Sequence, residues 1–316
     1  MVEISRKKRF VFNPDEETKE MLIATFAIRK DIFQKVFKII KSSSRVTAPQ
    51  HFLLVGQRGM GKTTLILRLK YEIEDDPELN QYLLPVRFSE EQYQIGCLPD
   101  LWEETALYLE NISPYFKGLK DKMLRYEKEK DYERICFDIL TKKLKEAKKR
   151  IVLLIDNIGD LFNKLTSQET HRFREILMTS PHILLIGASS HMLEHTFHYD
   201  KPFFEFFYQL KLEPLKKVEA IGLMKALADN YDVYGKIEKI VQEKPERIEV
   251  LRRITGGVPR TLVLLFEILV DSADGSAFEN LEELTDRVSP LYKERMDMLK
   301  PQQQKIMDAL ARAWEP

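Results

Sequence analysis

His51-Phe-Leu-Leu-Val-Gly56-Gln-Arg-Gly59-Met-Gly61-Lys62-Thr63-Thr64 is the stretch that decides the fold. An apolar run breaks into a glycine-rich turn, and the helical spacing of Leu65, Leu67, Leu69 and Ile73 follows. The pattern G-x-x-x-x-G-K-[ST] is complete and sits between a strand signal and a helix signal, the context in which it marks a nucleotide phosphate site. The chemistry needs this order. Gly56, Gly59 and Gly61 allow backbone conformations that a Cβ would forbid, so successive N–H groups can point at one phosphate chain. The whole loop is therefore assigned to the nucleotide, with Gln57, Arg58, Met60 and Thr64 included. The helix that opens here adds the positive end of its dipole. Lys62 reaches the β- and γ-phosphates as a mobile point charge, and the Thr63 hydroxyl is placed to ligate Mg²⁺.

The remaining pieces of such a site lie downstream. Ile151 to Ile155 is a continuous apolar run, as expected of a strand buried on both faces, and Asp156 ends it 94 positions after Lys62. A carboxylate there holds Mg²⁺ through water, or else caps a helix. Asn157 follows; an amide can orient an attacking water but cannot accept its proton, so hydrolysis is expected to be slow or to use another base. Asp160 and Glu90 are the candidates for that base. Ser189 and Ser190 close a second buried run, Ile183 to Ile186, with hydroxyls that can face a γ-phosphate or simply belong to a loop. Gly256-Gly-Val-Pro259-Arg260 precedes a very apolar helix, Thr261 to Val270. Pro259 suits a first helical position, which puts the Arg260 cation in the turn where it opposes the helix dipole and calls for an anion. A bound phosphate is one such anion and a surface carboxylate is another.

The chain has 316 residues, enough for about two domains, and its 50 basic residues balance 50 acidic ones. Net charge therefore points to neither nucleic acid nor a membrane surface. Cys97 and Cys136 lack metal-ligand spacing and read as small buried thiols in a reducing compartment. A basic amino terminus without an apolar core behind it, and no run approaching a membrane span, predict a cytoplasmic protein. Residues 1–48 are expected to be a helical linker containing one helix from Met21 to Lys41. Residues 49–215 alternate strands with helices and predict an α/β core, a three-layer αβα sandwich around a five-stranded parallel sheet, its second strand running from Tyr82 to Phe88 and its weaker fifth from Gln209 to Leu215. A charged helix or helix pair covers about 117–150 and ends in Lys142, Lys143, Lys145, Lys148, Lys149 and Arg150, a dipole-compensating terminus or a phosphate-backbone contact. Residues 216–290 read as a helical lid, with segments at Val218 to Ala228, Ile237 to Val241 and Ile248 to Ile254. Residues 291–316 read as the start of a further helical domain, and the sequence as a piece of a longer protein. His191-Met-Leu-Glu194-His195 fits H-x-x-E-H, but it directly follows the second buried run and no partner ligand suggests itself.

Taken in order, the phosphate loop, the Asp156 strand, the polar strand end and the Gly-Gly-x-Pro-Arg segment resemble the AAA+ P-loop ATPases, in particular the signal-transducing STAND branch and its origin-recognition relatives. The resemblance spans roughly residues 20–300. It implies Lys62 and Thr63 as Walker A, Asp156 as Walker B, Ser190 or Ser189 as sensor 1, Arg260 as sensor 2, and Phe26-Ala-Ile-Arg29 as the linker that frames adenine. Residues 206–215 followed by Lys217-Val-Glu-Ala look like the fifth strand and the approach to the lid, and the last helix is similar to the start of a winged-helix domain. Two departures matter: Asn157 stands where a glutamate is usual, and no arginine occurs between Arg174 and Arg247, where ring motors carry a trans-acting finger worth about 10³–10⁵ in turnover. The expectation is a nucleotide-dependent conformational or oligomerisation switch that binds ATP or ADP with Mg²⁺ and self-associates in the ATP state. A DNA-engaging ATPase of the loader or transposition-regulator kind, and a nucleotide-binding scaffold without hydrolysis, are the alternatives. DNA or a protein would be the further partner; a membrane would not.

Overall fold

The computed structural model describes residues 14–89, 94–193, 201–230, 245–271 and 299–313, with isolated positions at 196, 199, 242, 289, 293, 296 and 297. Its strands are β1 (Phe52–Val55), β2 (Leu83–Phe88), β3 (Arg150–Ile155), β4 (Ile183–Ser189) and β5 (Tyr208–Lys211), all parallel in the order β2-β3-β4-β1-β5. The three inner strands β1, β3 and β4 are buried along their whole length, which is why they read as unbroken apolar runs. The edges read differently. Pro85 has no N–H to donate and sits within β2 on the outer edge, while β5 on the other edge is half-buried.

Successive side chains along a strand point to opposite faces. Leu53, Val55, Leu153, Ile155 and Leu185 face one layer with helices α4 (Leu98–Ile112), α6 (Tyr132–Ala147), α7 (Ile158–Lys164) and α8 (Ser167–Thr179). Trp102 fills this core, tilted against Phe137 at 5.2 Å and edge-on to Phe173 at 6.0 Å. Helix α3 (Lys62–Asp75) covers the opposite face with Leu65, Ile66, Leu69 and Ile73, and α1 (Lys19–Thr25) and α2 (Lys30–Ser42) pack on it. One close approach requires a glycine: a Cβ on Gly187 of β4 would stand 2.8 Å from Ile158 Cδ1 and 3.0 Å from its Cγ2, so only a bare backbone lets α7 lie this near the sheet.

Two expectations are corrected and a third is narrowed. The single helix from Met21 to Lys41 is two helices, because Arg29 takes a left-handed conformation (φ 62°) between α1 and α2. Apolar spacing alone does not reveal that break, since the phase of the stripe survives it. The fifth strand runs from Tyr208 to Lys211 and does not reach Leu215. Of the two arrangements expected for 117–150, one helix or a pair, the pair is found: α5 (Leu119–Leu124) and α6. Lys143 stacks over Tyr115, Lys149 donates to the carbonyls of Asn80 and Gln81, and Arg150 is buried in a socket formed by the carbonyls of Pro181, Ser44 and Thr47. Half of the basic run therefore has internal work. Both thiols are pushed up to about 11 by burial and stay neutral at pH 7.

His51, just ahead of β1, is 3% exposed and fastens the amino ends of the strands. Its Nε2–H donates to the Leu177 carbonyl at 2.8 Å, while the Leu185 N–H donates to its Nδ1 at 3.0 Å. A carbonyl only accepts and an N–H only donates, so the ring is held as one neutral tautomer. Burial, and secondarily the Arg150 charge, lower its pKa from 6.5 to about 4. The folded value lies below the unfolded one, so the stabilisation is complete above pH 6.5, shrinks as pH falls, and is exhausted by about pH 4. It amounts to about 3 kcal/mol. In His51→Gln, which offers a donor and an acceptor that do not titrate, urea unfolding between these pH values is expected to lose about that much of the parental pH dependence.

The chain divides into two compact units, with the boundary between Pro214 and Leu215. The second contains α9 (Lys217–Asn230), α10 (Pro245–Ile254) and α11 (Pro259–Asp271), followed by α12 (Pro301–Ala313). Gly256 (φ 61°) and Gly257 (φ 68°) end α10 in left-handed conformations, donating to the carbonyls of Arg253 and Arg252. The Gly257 carbonyl accepts from Leu215 N–H, so the turn closes onto the start of its own unit. Pro259 opens α11, as its fixed φ favours. The helix expected at Ile237 to Val241 lies outside the described residues.

Candidate functional site

The carboxyl ends of parallel strands share one edge of the sheet, where ligands of α/β proteins bind. Here that edge collects Gly56 after β1, Asp156 after β3, Ser189 at the end of β4 and Leu212 after β5. β4 lies between the strand that carries Asp156 and the strand that leads into the glycine loop. Gly56 N–H donates to the Ser189 carbonyl at 3.1 Å, tying the loop to β4. A Cβ on Gly56 would meet Leu212 Cβ at 3.0 Å and its carbonyl at 3.1 Å, a neighbour of the loop that no local sequence pattern marks.

Gly59 (φ 85°) and Gly61 (φ 86°) are both left-handed, and Gly61 is the residue from which α3 starts. No side chain caps that helix. The first-turn amides of α3 are thus available to an anion, as the motif predicts. Met60 is buried beneath the loop, whereas Gln57 and Arg58 are exposed on it; Thr64 continues α3. Lys62 folds back across the loop and donates to the carbonyls of Gly56 (2.7 Å) and Gln57 (3.1 Å). Thr63 Oγ1 donates to Asp156 Oδ2 at 2.5 Å across 93 residues of chain, and Asp156 is 6% exposed. Two hard oxygen atoms meet at the head of a helix bearing a lysine, groups that could hold Mg²⁺ together with phosphate and water.

No model of a known protein family matches the sequence, and no curated protein does. Solved structures do match. The Walker-type ATPase of Pyrococcus abyssi superposes with a TM-score of 0.55 at 16% identity, over 86% of this chain and 75% of that one. The Aeropyrum pernix ORC2 protein, in its ADPNP–ADP complexes, gives 0.59 at 11% identity over 89% and 72%. The ORC1 protein of the same organism in complex with DNA gives 0.51 at 14% over 93% and 73%. The fold is the AAA+ P-loop α/β fold.

Within this AAA+ fold the two serines differ. Ser189 is fully buried at the end of β4, its hydroxyl donating to the His191 carbonyl at 2.7 Å; Ser190 is exposed, with Oγ 3.1 Å from His191 Nδ1. Asn157 takes a left-handed conformation (φ 54°) that asparagine tolerates better than most residues, and its Nδ2 donates to Asp160 Oδ2 at 2.6 Å. Arg29 is buried, and its guanidinium donates to the Glu213 carbonyl just beyond β5, so the 26–29 segment is fixed to the same edge of the AAA+ sheet. Arg260 lies in the first turn of α11 in the second unit. Glu90, Glu194 and His195 lie outside the described residues. No described helix is long and apolar enough to cross a membrane.

Proposed function

We propose that this chain is a nucleotide-dependent regulatory switch of STAND type: a cytoplasmic AAA+ protein that binds ATP with Mg²⁺, hydrolyses it slowly, and changes conformation or self-association between its ATP and ADP states. The observation that carries the reading is the Thr63–Asp156 contact at the uncapped start of α3. The loop amides and Lys62 bind the β- and γ-phosphates, and Thr63 and Asp156 hold the metal. What Mg²⁺ supplies when bound is neutralisation of the charge that develops on the phosphoryl oxygens. Asn157 orients water without removing its proton, Ser189 or Ser190 contacts the γ-phosphate, and Arg260 is assigned the sensing of that group. A ligand shifts an equilibrium only by its differential affinity for the two states, so the output lies in ATP against ADP binding and not in turnover.

A second reading, a DNA-engaging ATPase, is favoured by the likeness to a structure solved with DNA. The basic run supports it less than its composition suggests, because Lys143, Lys149 and Arg150 are engaged internally. Light-scattering masses in Mg-ADP and in Mg-ATP test the switch, and repeating them with duplex DNA tests the second reading. A larger mass in ATP alone is the expected result. Identical masses and identical protease-cleavage patterns in both nucleotides would remove the switch.

A further inference from the structure

On the AAA+ resemblance Asn157 stands where a glutamate would activate water, and its side chain is not left to rotate. Its Nδ2 is held at 2.6 Å by Asp160 Oδ2, one turn along α7. The carboxylate oxygen at this contact is the acceptor, which fixes the Asn157 orientation that presents the amide NH₂ to it and turns Oδ1 the other way. Oδ1 lies 4.0 Å, Ser189 Oγ 3.9 Å and Leu193 Cδ2 2.8 Å from the point where a Cβ of Gly159 would stand, so all three groups surround that one bare position. Among the described residues no donor is bonded to Oδ1. The amide oxygen is thereby an oriented acceptor just beyond β3, in the residue next to Asp156 and around the same Gly159 position as Ser189 Oγ.

We propose that Asp160 is a positioning residue for ATP hydrolysis: its carboxylate fixes the Asn157 amide so that Oδ1 can accept a hydrogen bond from the attacking water. This rests on the ATPase reading given above. The proton leaves that water to solvent or to a phosphate oxygen, since neither Oδ1 nor a pinned amide can take it, and the slow turnover expected of the chain is the result. The sequence singles out Asp160 as a candidate base; the geometry assigns it an indirect role.

The test compares Asp160→Asn with Asp160→Ala. An amide at 160 can still accept from Asn157 Nδ2, so a merely structural link would survive it; but an amide can also donate, so it no longer dictates which way Asn157 faces. Both variants are therefore expected to lower kcat about 10-fold while KM for ATP and the thermal midpoint stay at the parental values. Parental kcat in Asp160→Asn, or a loss that appears in KM or in the thermal midpoint, would overturn the proposal. So would a parent chain that binds Mg-ATP and releases no phosphate, although the nucleotide switch would then stand. A parent chain that binds no adenine nucleotide would overturn the ATPase reading itself.

Discussion

Lys62→Ala is expected to lower the affinity for ATP and ADP by about 10²–10⁴-fold. The ammonium lies 2.7 Å and 3.1 Å from two carbonyls of its own loop, so it is already inside the ring that a phosphate chain would enter. Exchanging those neutral acceptors for phosphate oxygens gains two or more charge-assisted hydrogen bonds of about 1.5–3 kcal/mol each, which sets that range. The fold has little at stake. Lys62 is half-exposed, and the buried contacts of α3 come from Leu65, Ile66, Leu69 and Ile73. Calorimetric titration with ADP, alongside a thermal melt in its absence, separates the two effects. Undiminished affinity would mean that the loop is only a turn.

The second large effect concerns the missing carboxylate. Asn157→Glu places a general base where only an orienting amide stands, and such bases contribute about 10²–10⁴ in rate. Two costs oppose it. Asn157 is left-handed, a conformation that costs most side chains about 1–2 kcal/mol, so the variant is expected to be less stable by that order. A glutamate there would also face the Asp160 carboxylate, and a like charge raises its pKa and holds back proton transfer. Asn157→Glu alone is therefore expected to raise kcat by about 10-fold, and the double variant with Asp160→Asn by about 10²-fold. Asp160→Asn thus slows the parent and speeds the variant, a reversal that a double-mutant cycle reads directly. Single-turnover phosphate release gives all four rates. Parental rates in both glutamate variants would show that position 157 does not face the water.

The parts legible in sequence were those that depend on local pattern. The strand, glycine turn and helix at 52–75, the buried strands β3 and β4 and the proline-started helix α11 carry their signals locally, and each lies where that signal puts it. Asp156 could be aligned with Thr63 because a strand end opposite a phosphate loop is a general arrangement. Other features depend on what the chain meets in space. His51 reads as an ordinary polar residue ahead of a strand, since its two partners, Leu177 and Leu185, are 126 and 134 positions away. Leu212 carries no mark of its contact with Gly56. The break at Arg29 is hidden because apolar residues continue on both sides of it. In sequence Asn157 reads as a chemical departure, whereas its left-handed backbone also gives it a conformational reason to be asparagine.

The sheet has two unlike rims. At one, His51 and the Arg150 socket lash strands, helices and connecting segments together through buried hydrogen bonds; at the other stand the glycine loop, Asp156 and Ser189, the groups proposed to take the nucleotide. Folding energy and ligand chemistry are thereby kept apart by the length of a strand. Drift at the lashed rim alters how long the protein survives without altering what it holds, and the working rim can be re-tuned residue by residue without the scaffold coming undone.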